Sequence, residues 1–492
     1  MSRSREVNIY MRIDLVPEPE LIFGESMRCV DPKVGLLSYG PCGLRKDKQI
    51  IKGAVIGTRD GVSYLLNFLE NIRRRISPGG GESVNPWKCD FPGLGVKSSL
   101  RFDVEIEQDK IELITPQDVT TVISPDDRRK RIELAAQMYE RKFQDLASST
   151  HPLPDIVFIP LPEKVLEHCR DPSYEGDRIV YSRRSMAKEP GSQPVPLFDF
   201  HNLLKVLGFP HKMRTQVVLP KTLRLTEGPQ DPATIAWNFS VALFYKATGN
   251  PWKIADLDED TCYMGISFYE EVGDQGSQMR ASMAHVYLRT GESQVIRGKP
   301  FRWDESRERS PELTSPQAFE ILSDVIRLFE RQKQRMPTRV VVHKTSPFTD
   351  DEVAGFSEAS KEAKYLDLVH VMQHQPIRLY HRNSAYPPLR GTLLSSPSEA
   401  RFLLYTTGFI QALGTYPGST VAEPLLCDCP RMDTDIYQIS KDIMSLTKLD
   451  WNNSDFCTRL PVTISVSRTV GSILAESRAR DIDPPSSYSN FM

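Results

Sequence analysis

The apolar run KGAVIG is followed by VSYLLNFLENIRRR, where apolar residues recur every three or four positions. The first pattern predicts a buried strand and the second an amphipathic helix. The alternation then repeats. DDRRKRIELAAQMYERKFQDLAS (126–148) sets Ile132, Leu134, Ala135, Met138, Phe143 and Leu146 near helical spacing, DIVFIPLP (155–162) is apolar almost throughout, and KVLEHC begins another helix. Strand and helix in alternation predict an α/β layer on a parallel sheet.

After GNPWKI (249–254) the pattern changes. CYMGISFY (262–269) reads as a strand, and ASMAHVYLRTGESQVIRG (281–298) as two strands about a Thr290-Gly291-Glu292 turn. SPQAFEILSDVIRLFERQKQ (315–334) reads as a helix with a Ser cap, and TRVVVHKT (338–345) as an apolar strand. Strand, hairpin, helix, strand is the order of a ribonuclease H-like half. Two loops interrupt the first half, SPGGGESVNPW (77–87) and the polar, Pro-rich stretch 170–196. The division expected is 1–48, 49–253 and 254–492.

A chain of 492 residues is too long for one ordinary domain, and 26% charged with 39% hydrophobic residues is the balance of a folded protein. The net charge of −2 excludes a general basic coating, so any polyanion site must be local. Eight Cys, with Cys427 and Cys429 as a lone C-x-C, suit free thiols better than a disulfide scaffold or zinc. The N-terminus lacks a signal-like apolar core, and a cytoplasmic location is expected.

Cations do gather in one place. FHNLLKVLGFPHKMRTQVVLPKTLRL (200–225) holds five Lys or Arg, two His and no acid. With Asp199 as a cap and Gly208 as a stop, a short helix would carry His201 and Lys205 on one face. A helix N-terminus favours phosphate, and Gln216 and Lys246 add an amide donor and a further cation. Each also has an ordinary reading: Lys246 as a partner of a helix C-terminal dipole, His201 as a satisfied histidine, Gln216 as an edge residue. The RRKR run near 128 reads as a solvated helix flank.

H-x-x-x-K, then T-Q-V-V, then Y-K-A-T-G-N-P-W together resemble the 5′-phosphate pocket of the MID domain in Argonaute proteins. FHNLLK is similar to the short prokaryotic Argonautes, which keep only MID and PIWI domains. FGESMRCVDPKVGLLSYGP, FPGLG, DIVFIPLP, CYMGISFY, RLYHRNSAYPPLRGT, LLYTTG and MSLTKLDWNN…RLPVTI extend the resemblance along most of the chain. It implies a Rossmann-like MID domain followed by a ribonuclease H-like PIWI domain. It further implies that Lys205, Gln216 and Lys246 hold a guide 5′-phosphate, with His201 against the first nucleotide. More weakly it implies a Mg²⁺ ion between that phosphate and the Met492 α-carboxylate.

Active PIWI domains use strand carboxylates to hold two metal ions. Here Gly265-Ile266 is followed by Ser267, His343-Lys344 by Thr345, and PVTISVSRTVGSILA contains neither Asp nor His. Neutral hydroxyls do not offset two divalent cations, so no cleavage is expected. Glu292 is only a nearby acid, not an assigned ligand. Arg378, Arg382 and Arg390, interleaved with Tyr380, His381 and Tyr386, suit either a guide or target backbone channel or a solvated loop.

The resemblance implies a small guide RNA, a complementary single-stranded DNA target from plasmid or phage, and an APAZ-domain partner. That partner would carry a sirtuin-like or TIR NAD-depleting domain, or a DNase. Two other readings stand beside it. One is a guided endonuclease with non-standard ligands. The other is a Rossmann-like small-molecule enzyme, which the lack of a G-x-G-x-x-G after a strand disfavours.

Overall fold

The computed structural model describes residues 11–44, 48–79, 88–149, 151–170, 200–225, 231–273, 276–281, 284–287, 293–301, 311–380, 382, 386–396 and 399–492. The alternation in the first half builds a four-stranded sheet, wholly parallel. Ile50–Gly57 lies between Asp103–Leu113 and Ile156–Pro160, and Thr215–Val218 pairs with the far side of the last. Alternate side chains supply two cores, as the pleat requires. Ala54 and Ile56 pack with Ile132 and Phe143 of helix Arg128–Ser149, whereas Val55 packs with Leu65 and Phe68 of helix Arg59–Ile72. This is the Rossmann-like arrangement expected.

The second half is built on a nine-stranded mixed sheet. Thr261–Ile266, Arg339–Lys344 and Tyr365–Met372 run parallel at its centre, and Leu425–Met432 follows antiparallel. Helices Ser315–Lys333 and Asp350–Ala359 cover one face through Leu322, Val325 and Phe356, against Met264 and Val342. Helix Val462–Ala479 covers the other, with Val466 and Val470 against Tyr263 and Val341. The mixed α/β class and the ribonuclease H-like order both hold.

Three details differ from expectation. Part of the 1–48 segment is woven into the later sheets: Arg12–Leu15 pairs antiparallel with Thr392–Ser395, and Leu21–Ile22 pairs with Lys253–Ile254. The strand read as 262–269 ends at Ile266, and Phe268–Gly273 turns into a separate hairpin with Gly276–Ala281. The expected 281–298 hairpin forms from Ala284–Tyr287 and Ser293–Ile296, while its turn, with Glu292, lies outside the described residues, as does Asp199. Among the described residues no helix is long and apolar enough to cross a membrane.

Candidate nucleic-acid interface

Where strand Thr215–Val218 ends, a cavity of about 300 Å³ opens between helices Phe200–Gly208 and Pro232–Ala247. His201, Lys205, Gln216 and Lys246 all line it, and so does Met492. The fold thus brings together five residues drawn from four separate parts of the chain. Val218, Leu219, Ile235 and Phe239 supply an apolar wall beside the polar one.

Both lysines are nearly out of contact with solvent, at 7% exposed for Lys205 and 5% for Lys246. Lys205 Nζ donates to the Phe491 carbonyl at 3.3 Å, which draws the end of the sequence toward the cavity. Lys246 Nζ donates to the Thr215 carbonyl at 3.0 Å and to Gln216 Oε1 at 2.8 Å. These acceptors are neutral. Burial first, and the charge of Lys205 second, hold the Lys246 ammonium well below its ordinary pKa. His201 keeps a solvent-exposed edge, and loss of hydration within the cavity first, then the charges of Lys205 and Lys246, hold its imidazole below the usual value. The two lysines disfavour each other's charge, and an anion placed between them relieves both.

Gln216 plays a different part from the one its position suggested. Its oxygen accepts from Lys246 and its Nε2 donates to the Val217 carbonyl at 3.3 Å, so it aims the lysine before it meets any ligand. Asn238 was not singled out from the sequence. It sits eight residues before Lys246, with Ala242 between, so all three share the helix face that lines the cavity. Asn238 Oδ1 accepts from the N–H and the hydroxyl of Ser454, each at 2.9 Å. With its oxygen committed, its NH₂ group is the donor left to a bound anion. The spacing from Lys246 was visible in the sequence; the Ser454 contact was not.

Ser267 and Thr345 are neighbours in register. Lys344 pairs with Ile266 on adjacent parallel strands, and the two hydroxyl residues follow at the strand ends. Ser267 Oγ donates to the Ser467 carbonyl at 2.8 Å, and His343 Nδ1 lies 2.8 Å from Thr463 Oγ1. Both bonds reach helix Val462–Ala479. Burial first, then Arg339, push His343 down to about 3, so its ring is neutral at ordinary pH. Lys344 is buried against Glu352. Among the described residues no three His, Cys, Asp or Glu gather in a way that could hold a metal ion.

The three arginines proposed for a backbone channel are not equivalent. Arg390 is 5% exposed: Nε bonds Glu18 at 3.0 Å, and its other nitrogens reach the Thr406 carbonyl and Thr447 Oγ1. It is a core residue, and the assignment to a nucleic-acid channel is corrected accordingly. Arg378 is tied to Glu423, while Arg382 is exposed. His381 lies outside the described residues.

No protein-family model matches the sequence, and no curated protein does. Solved structures do match. Argonaute of Clostridium butyricum, bound to a guide DNA and a 19-mer target DNA, superimposes with a TM-score of 0.62 at 14% identity, over 95% of this chain and 53% of that one. This chain has an Argonaute fold. Aquifex aeolicus Argonaute matches at 0.56 and 15% identity, over 96% of this chain and 54% of its own. Drosophila Piwi matches at 0.56 and 12%, over 94% and 54%. The chain therefore spans about half the length of the Argonaute and Piwi chains whose fold it shares.

Proposed function

We propose that this protein is a guide-directed nucleic-acid binder that does not cut its target. One observation carries the reading: His201, Lys205, Gln216, Lys246 and Met492 converge on one cavity with two buried cations. A terminal phosphate monoester bears more charge than an internal diester, so two lysines and the Asn238 amide distinguish an end from a chain. The apolar wall of Val218, Leu219, Ile235 and Phe239 suits the first nucleotide's base and sugar. The ligand proposed is a small guide RNA with a 5′-phosphate, and the target a complementary single-stranded DNA read by base pairing.

A Mg²⁺ ion beside the guide phosphate belongs to the same reading, since that ion takes carboxylate and phosphate oxygens and keeps several waters. Met492, on the cavity wall, would supply its α-carboxylate. When bound, the ion would add positive charge to the site. For the PIWI-like half, the hydroxyls of Ser267 and Thr345 at the paired strand ends support a silent site. The output would then belong to an APAZ-domain partner with a NAD-depleting or DNase effector, in defence against plasmids and phage.

The test compares guides that differ only at the 5′ end. Lys205→Ala with Lys246→Ala should weaken a 5′-phosphorylated guide RNA by several kcal/mol, at about 1.5–3 for each charge-assisted contact. A 5′-hydroxyl guide should change little. Equal losses for the two guides would refute the pocket.

A further inference from the structure

At the end of the nine-stranded sheet remote from Arg12–Leu15, the outermost strand among the described residues is Ser293–Ile296, paired antiparallel with Ala284–Tyr287. Its outer side meets residues 486–492. The Val295 N–H, turned away from the sheet, donates to the Ser486 carbonyl at 2.8 Å, and Gln294 bridges antiparallel to Ser487. A contact this short, on the margin of a sheet, opens far more readily than the ladder beside it.

The same few residues then run to the cavity. Tyr488–Asn490 is a turn of 3₁₀ helix, in which side chains three apart lie over one another, so Tyr488 and Phe491 project together. The Tyr488 ring centre lies 6.1 Å from that of Tyr245, the neighbour of Lys246 in helix Pro232–Ala247. The Phe491 ring centre lies 5.5 Å from that of Phe209, the residue after helix Phe200–Gly208, and the Phe491 carbonyl accepts from Lys205 Nζ. Met492 follows on the cavity wall. Tyr488 and Phe491 are both buried, so the two helices that frame the cavity grip the segment between the cavity and the sheet.

We propose that residues 486–492 form a strap that transmits occupancy of the cavity to the edge of the large sheet. The inference rests on the guide-binding reading above and adds regulation to it. Lys205 has three N–H donors, enough to hold a phosphate and the Phe491 carbonyl together. A phosphate that fixes the ammonium therefore fixes Phe491, and the buried turn carries that order on to Ser486 and Val295. Coupling of this kind is reciprocal. Whatever weakens the Val295–Ser486 contact lowers affinity for the phosphate by the factor by which the phosphate strengthens the contact. The edge reached is not an idle one: Ala284–Tyr287 pairs at Tyr287 with Tyr263 of Thr261–Ile266, the strand that leads to Ser267. A loaded protein would thus present a firmer second half to a target than an empty one.

Hydrogen exchange on the full chain tests this, with a 5′-phosphorylated guide RNA and its 5′-hydroxyl twin each at saturating concentration. The phosphorylated guide should slow exchange of the Val295 amide at least about fivefold, and the hydroxyl guide should not. Val295→Pro removes that N–H and no bond within the sheet, because proline is tolerated on an edge strand where the amide points outward. It should weaken the phosphorylated guide about fivefold or more and leave the hydroxyl guide nearly unchanged, although Val295 does not line the cavity. If the phosphorylated guide binds more tightly and protects the Phe491 amide but leaves Val295 unmoved, the strap stops short of the sheet; the inference falls and the pocket stands. Equal protection of Val295 by both guides would also overturn it, since the phosphate would then not be the signal. If the two guides bind alike, the pocket reading fails and the strap with it.

Discussion

Lys246 is buried beside two neutral oxygens and a second ammonium, and its pKa is held below the ordinary lysine value. Its folded pKa lies beneath its unfolded one, so the unfolded chain binds more protons between the two. Stability from this group rises with pH across that window, and below it the full cost of the buried charge remains. Lys246→Met should therefore raise the Tm of the empty protein, by about 1 kcal/mol of stability, while weakening 5′-phosphate binding. A bound phosphate reverses the shift. Calorimetry in buffers of different ionisation enthalpy should show proton uptake with a 5′-phosphorylated guide and less with a 5′-hydroxyl one. Equal uptake for both would show that Lys246 does not meet the phosphate.

Strand Thr261–Ile266 and helix Val462–Ala479 touch backbone to backbone. A Cβ on Gly265 would lie 1.8 Å from the Thr463 carbonyl oxygen, an atom that moves only if the helix does. Gly265→Ala should cost about 3 kcal/mol, read as a lowered urea midpoint at unchanged slope. The same contact bears on catalysis. Ser267 donates to the Ser467 carbonyl, and an aspartate there would face that oxygen with no proton to give. Ser267→Asp with Thr345→Asp should yield no cut products from labelled complementary target in Mg²⁺ or Mn²⁺; robust cutting would show that the hydroxyls had replaced working ligands. Elements of this kind differ in how well sequence announces them. The strands at 50–57 and 156–160 are apolar runs bounded by Gly or Pro, and their burial on both faces made them legible. Helix Val462–Ala479 opens with VTISVSRTV, whose β-branched residues favour strands; it is helical because Val462, Val466 and Val470 fall every four residues onto the sheet. The cavity residues were legible through motif spacing. Arg390 was not, because what buries it is Glu18, 372 positions away.

At the scale of the molecule, Glu18 is where the early segment and the second half are joined. Its carboxylate bonds Arg390 at 3.0 Å and Lys448 Nζ at 2.9 Å, and Lys448 reaches back to the Val30 carbonyl at 2.6 Å. Burial alone would raise the carboxyl, but the charges of Arg390 and Lys448 outweigh it and hold it below its ordinary 4.5. Its contribution is present above that value and disappears as pH falls through the lower folded one. Glu18→Gln should leave two buried cations without their counter-charge, destabilise the protein by about 3–5 kcal/mol, and flatten the acid side of its stability curve. An unchanged urea midpoint at pH 7 would mean the joint carries little. The strand at Arg12–Leu15 has a consequence in time. Its only neighbour among the described residues, Thr392–Ser395, is translated several hundred residues later. At ordinary elongation rates the strand emerges from the ribosome and waits on the order of half a minute for its mate, with Ile13 and Leu15 bare. A nascent chain in that condition carries an apolar edge long before the strand that pairs with it exists.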